Sequence, residues 1–194
     1  MFKYLLMATL LVTHAAQAQH FEFGLKGGVN FSNFTGGDFN DIDNKTLVGF
    51  HAGGFMRLHF GDLIAVQPEL LFSTQGAKLE SATESIDAKV SYINVPILLQ
   101  LHFGGLFVEG GPQVGFRVNE DVPNQSIENF AKSNDLSLAL GLGYQSHSGF
   151  GISGRYNIGL SKVGDFEATN INPDFKNGVA QISLFYTFFN KNKK

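Results

Sequence analysis

Val90-Ser-Tyr-Ile-Asn-Val-Pro-Ile-Leu-Leu-Gln-Leu-His-Phe103, then Gly104-Gly105, then Leu106-Phe-Val-Glu-Gly-Gly-Pro-Gln-Val-Gly-Phe-Arg-Val118, is a stretch in which apolar and polar residues alternate on both sides of a glycine pair. On the first arm Ile93, Val95, Ile97, Leu99, Leu101 and Phe103 form one face, opposite Tyr92, Asn94, Gln100 and His102. That is the two-residue period of a strand. On the second arm the apolar set moves to Leu106, Val108, Val114, Phe116 and Val118, leaving Glu109, Gln113 and Arg117 opposite. A two-residue Gly-Gly turn pairs residues whose numbers sum to 209, joining odd to even positions and keeping both apolar sets on one side. The stretch reads as a hairpin that is apolar along one whole face and polar along the other.

The same alternation extends outward in both directions. Phe21 to Phe31 sets Phe21, Phe23, Leu25, Val29 and Phe31 against Glu22, Lys26 and Asn30, and Thr46 to Phe60 sets Val48, Phe50, Ala52, Met56, Leu58 and Phe60 against His51, Phe55, Arg57 and His59. Ile64 to Gln75 places Gln67, Glu69, Ser73 and Gln75 on the polar side. Strands over Leu136 to Gln145, Phe150 to Ser161 and Gly178 to Phe189 bring the expected count to eight. The connections alternate as strictly as the residues do. Gly61 to Leu63, Gly104-Gly105 and Ser146 to Gly149 are tight turns, whereas Ser32 to Lys45, Gly76 to Lys89, Asn119 to Asp135 and Lys162 to Asn177 are long and polar. Short turns at one rim and long loops at the other predict an all-β, eight-stranded antiparallel transmembrane up-and-down β-barrel.

Composition and charge agree with one domain and narrow its partners. The 194 residues hold 23 Gly and 20 Phe, no Trp and no Cys, which excludes a disulfide framework and a thiolate metal site. Of the 17 acidic residues, 13 fall in the four long segments beside six lysines, giving that rim a formal charge of −7. An acidic rim argues against nucleic acid and reads as loops solvated among lipid headgroups. At the N-terminus, Lys3, the apolar run Tyr4 to Val12 and Ala16-Gln17-Ala18 read as a secretory signal peptide over 1–18, leaving 19–194 as the barrel domain.

Which face meets water is read from what lies on each. The polar face carries Gly24, Gly28, Gly53, Gly111, Gly141 and Gly143 among a few long polar residues, the filling that a narrow eight-strand lumen needs. Aromatics cluster at both ends of the apolar face, with Phe21, Phe60, Phe103, Tyr144, Phe150 and Phe188 at the short-turn end and Phe31, Phe50, Phe72 and Phe116 at the other. Two aromatic belts around an aliphatic band place lipid outside. A secreted lipocalin-like carrier, with the apolar face inside, is the alternative. The lumen residues Glu22, Lys26, Arg57, Glu69, Tyr92, Gln100, Glu109, Arg117 and Arg155 are expected to interlock, with Gln100 opposite Glu109 and Tyr92 opposite Arg117 in a cation–π contact. Pro68, Pro96 and Pro112 fall inside strands and predict locally broken ladders.

Catalytic, cofactor-binding and metal sites are not expected. His59 and His102 lie beside short turns, His51 has no serine partner legible in the sequence, and Asp38 to Asp43 lacks the glycine and terminal glutamate of a calcium loop. An outer-membrane enzyme acting on lipid or peptide is the rival from another class. Expected partners are outer-membrane lipid and other envelope or secretion proteins reached through the loops, with the barrel a monomer.

Tyr92-Ile93-Asn94-Val95-Pro96-Ile97-Leu98-Leu99, Glu109-Gly110-Gly111-Pro112, Gly141-Leu142-Gly143-Tyr144 and Arg155-Tyr156-Asn157-Ile158-Gly159-Leu160 resemble the outer-membrane β-barrel domain family that includes PorT-like proteins. The resemblance runs from about Phe21 to Phe189. It implies an eight-strand outer-membrane barrel and, for some members, a part in protein secretion across the envelope. No catalytic residues transfer with it.

Overall fold

A computed structural model describes residues 19–35, 43–80, 85–121, 134–161 and 176–188. They form eight strands: β1 (Gln19–Thr35), β2 (Asp43–Phe60), β3 (Ile64–Glu80), β4 (Ser85–Phe103), β5 (Leu106–Asp121), β6 (Asn134–Gln145), β7 (Phe150–Gly159) and β8 (Lys176–Thr187). Each strand pairs antiparallel with its neighbours in sequence, and β1 pairs with β8 to close the barrel. Closure removes every sheet edge within the membrane, the condition for a β-structure to cross one.

Alternation determines the register and the facing. The β4–β5 pairs run from Phe103↔Leu106 through Gln100↔Glu109 to Tyr92↔Arg117 with the sum of 209, and slip by one residue only at Ser91↔Asn119. Gly104 adopts φ +66 and so turns the hairpin where a side chain would strain it. Ile97, Leu99, Leu140, Leu142, Ile182 and Leu184 are exposed, while the alternate positions are buried. The apolar face therefore points out of the barrel, and the lipocalin-like arrangement is overturned.

At the prolines the ladders open but the strands continue. β2–β3 pairing skips from Phe55↔Glu69 to Leu58↔Val66, β3–β4 from Pro68↔Ile97 to Leu71↔Asn94, and β4–β5 from Pro96↔Gln113 to Leu99↔Gly110. Pairing resumes in the same register each time. A missing N–H removes a ladder bond without moving the side chains to the other face.

The long segments need correction. Ser32 belongs to β1, Gly76–Glu80 and Ser85–Lys89 pair with one another, and Asp135 is a buried lumen residue of β6 rather than part of a solvated loop. Strands continue past the apolar belt because backbone pairing needs no apolar alternation once outside the bilayer. The expected signal peptide over 1–18 and the terminal Lys191, Lys193 and Lys194 lie outside the described residues.

Candidate functional site

The lumen is where this sequence concentrates its chemistry. Arg155 on β7 donates from Nη1 to Glu69 Oε2 at 2.8 Å, from Nη2 to Glu69 Oε1 at 2.8 Å and from Nε to Glu109 Oε1 at 2.9 Å. The planar guanidinium thus clamps two carboxylates at once. Glu69 Oε1 also accepts from Lys26 Nζ and from Gln67 Nε2, both at 2.6 Å. Gln67 carries the chain onward by accepting from Arg57 Nε at 2.8 Å. Arg57 Nη1 donates to Glu22 at 3.0 Å and to the Gln145 side chain. On the other side Glu109 Oε2 accepts from Gln100 Nε2 at 2.8 Å, and Gln100 Oε1 meets His102 Nε2 at 3.1 Å.

Three cations and three carboxylates are therefore joined in the half of the lumen nearest the short turns. Buried charges survive only when paired and hydrogen-bonded, and here each one is. Seven of the anticipated residues, Glu22, Lys26, Arg57, Glu69, Gln100, Glu109 and Arg155, share this network. Tyr92 and Arg117 stand higher on the barrel wall. They pair across β4 and β5 nearer the long-loop rim, Tyr92 buried and Arg117 partly exposed.

An aromatic layer lies between these charges. Phe55, Phe107 and Phe185 are buried together, with Phe185 5.9 Å from Phe55 and 6.0 Å from Phe107 between ring centroids. The Arg57 guanidinium lies 5.3 Å from the Phe55 centroid and 5.8 Å from each of the other two. Each ring covers a glycine directly across the ladder: Phe55 faces Gly24, Phe107 faces Gly143 and Phe185 faces Gly151. A methyl at those glycines would come within 2.2, 2.4 and 2.1 Å of a ring atom. The glycines exist so that three large rings fit a narrow tube. Only Phe55 was placed on the polar face from sequence; Phe107 and Phe185 obey the same parity and were legible from it.

Above the charged network, towards the long-loop rim, comes a layer of neutral groups. Asn30 Nδ2 lies within bonding distance of Phe50 O, Thr74 O and Ser73 Oγ, which leaves Oδ1 as an acceptor. That oxygen is 2.7 Å from His51 Nδ1 and 2.9 Å from Gln181 Nε2. His51 must then donate from Nδ1, so Nε2 accepts from Ser183 Oγ at 2.8 Å. His51 thus has a serine partner after all, from a strand 132 positions away in sequence. β2 and β8 meet on either side of Gly28, which pairs with both His51 and Ser183 and has no side chain to separate them. Ser183, His51 and Asn30 reproduce the hydrogen-bond order of a serine–histidine–amide relay, but all three are buried, Ser183 at 3% exposure. Among the described residues, no His, Asp and Glu side chains gather as metal ligands.

With a polar lumen, apolar exterior and closed ladder in place, comparison with known proteins adds the decisive observation. Residues 15–165 match the family described as outer membrane protein beta-barrel domain. The chain belongs to that family. Outer-membrane β-barrel domains of this kind place the protein in the outer membrane of a Gram-negative envelope. The match covers β1 to β7, and β8 closes the same barrel. Among solved structures, Neisserial surface protein A is similar with TM-score 0.55 and 13% identity, covering 86% of this chain and 97% of that one. The outer membrane protein OprG from Pseudomonas aeruginosa is similar with TM-score 0.51 and 16% identity over 89% and 98%. Ail, the attachment invasion locus protein of Yersinia pestis, gives TM-score 0.49 and 19% identity over 86% and 98%. Comparison with curated proteins returned no match.

Proposed function

We propose that this outer-membrane barrel is a monomeric structural and interaction protein, with no catalytic role, whose outer rim docks other envelope or secretion proteins. The supporting observation is an asymmetry of the ladders. β2, β3 and β4 remain paired out to Asp43↔Glu80 and Glu80↔Ser85, whereas β6–β7 pairing ends at Ser137↔Gly159 and β7–β8 pairing at Ile158↔Gly178. β5 joins β4 from Asp121↔Lys89 inward, and beyond that point Ser85 to Ala88 pairs with β3 alone among the described residues. A β3–β4 hairpin that reaches past its described neighbours beside acidic segments suits recognition of an extended, basic partner segment. The resemblance to PorT-like proteins points to secretion as the process served.

The test is genetic and uses the whole chain. A strain lacking the protein is complemented with wild type or with a variant whose 78–87 hairpin tip is shortened to a tight turn. We expect the variant to reach the outer membrane, shift normally on an unboiled gel and fail to restore secretion or envelope integrity. Full restoration would overturn the reading. One observation favours a second reading: the Ser183, His51, Asn30 relay suits an acyl-transfer nucleophile. Covalent labelling of the folded protein by a fluorophosphonate, abolished by Ser183→Ala, would establish it.

A further inference from the structure

Two kinds of glycine face opposite sides of this barrel wall. On the lumen side an added methyl would meet neighbouring backbone at 1.9 Å at Gly28 and 2.0 Å at Gly53 and Gly111, so packing requires glycine there. Gly27 and Gly154 face the other way, towards lipid. At Gly27 the nearest atoms would be His51 O at 3.6 Å and Ala52 Cβ at 4.0 Å, and at Gly154 nothing lies within 4 Å. Neither adopts a left-handed backbone. Folding does not need a bare backbone at these two points, and at Gly27 its effect on the outer surface is plain.

Gly27 lies in a concavity of about 610 Å³ on the outer wall, crossing from β6 to β1. Its walls are Tyr144, Phe150, Ile152, Leu184 and Tyr186. Phe150 and Tyr186 brace one another with ring centroids 4.6 Å apart. Although Lys26 borders the concavity, its ammonium is bonded to Glu69 inside the lumen, so no charge from it faces the groove. Ser146 stands at the mouth, its hydroxyl 2.7 Å from Ser148 Oγ and 3.0 Å from Phe150 O within the short turn. Short turns face the periplasm in barrels of this class, so the mouth lies at the headgroup level of the inner leaflet. The groove is continuous with the exposed apolar belt, and hydrocarbon is what that belt meets.

We propose that this groove is a lipid-binding site that holds one acyl chain of a periplasmic-leaflet phospholipid as a long-lived ligand. Its aromatic walls and bare floor let a flexible chain lie against backbone, where contact is close on several sides at once. Ordinary boundary lipid touches a convex wall on one side only.

The probe is a phosphatidylethanolamine spin-labelled near the end of one acyl chain, in liposomes containing the folded full-length protein. Wild type should show a motionally restricted fraction larger than that of Gly27→Leu, which fills the groove. Gly154→Leu adds the same bulk to the same face away from the groove lining and should keep the wild-type fraction. Ile152→Ala widens one wall and should also lower it, giving a second variant independent of Gly27. All proteins are first shown to be folded by their gel shift. Equal spectra for wild type and Gly27→Leu, or an equal loss in Gly154→Leu, would overturn the proposal. So would efficient disulfide cross-linking of Gly27→Cys, which would place a second copy of the chain on the groove.

Discussion

The two halves of the lumen solve the same problem in different ways. Near the short turns, Glu22, Arg57, Glu69, Lys26, Arg155 and Glu109 neutralise one another around three phenylalanine rings. Near the long loops, Asn30, His51, Gln181 and Ser183 satisfy one another with neutral groups. The charged half has few alternative arrangements, since removing one partner leaves an uncompensated charge in a dry space. The neutral half can exchange a lost bond for water at modest cost. The difference teaches that the less replaceable filling of the lumen lies near the periplasmic rim, while the outer half tolerates change.

That contrast can be broken or sharpened by urea unfolding of the membrane-inserted protein, followed by the unboiled gel shift because the chain has no Trp. The largest effect is expected for Glu69→Ala, which strands Lys26, leaves Arg155 with Glu109 alone and should cost about 3–5 kcal/mol. A cost near that of an upper-lumen variant would erase the distinction. Leu140→Arg, in the middle of β6 and facing lipid, should cost about 2–4 kcal/mol. A neutral result would mean that Leu140 does not face hydrocarbon. Gly151→Val should cost about 1–3 kcal/mol by forcing the Phe185 ring from its place. Much of that cost should vanish in a Phe185→Leu background, where a ring no longer covers the site. His51→Ala should be mildest, about 1 kcal/mol, since Asn30 Oδ1 retains the Gln181 bond.

Much of this architecture was legible because a barrel wall is written locally. Turn arithmetic at Gly104-Gly105 placed Gln100 on Glu109 and Tyr92 on Arg117, and the slip at Ser91 lies just beyond them. Parity told which residues face inward. What it could not tell is which inward residues meet across the tube: Arg155 reaches Glu69 from 86 positions away and His51 reaches Ser183 from 132. Such contacts depend on shear and closure, which no single hairpin encodes. The extent of β2 to β5 beyond the belt was equally hidden. Polar strands outside the bilayer lack the alternation that reveals them inside it. The glycine–phenylalanine pairs were recoverable, because each obeys the register of its own two strands.

Ion conductance across a planar lipid bilayer is the most direct measurement of the central claim, that the lower lumen is packed solid with paired charges around an aromatic cluster. The wild-type protein, inserted and gel-shifted, should give no single-channel steps at any applied voltage that the bilayer withstands, whereas Phe55→Ala combined with Phe107→Ala and Phe185→Ala should admit small ions. Reproducible steps from the wild-type barrel would contradict the account.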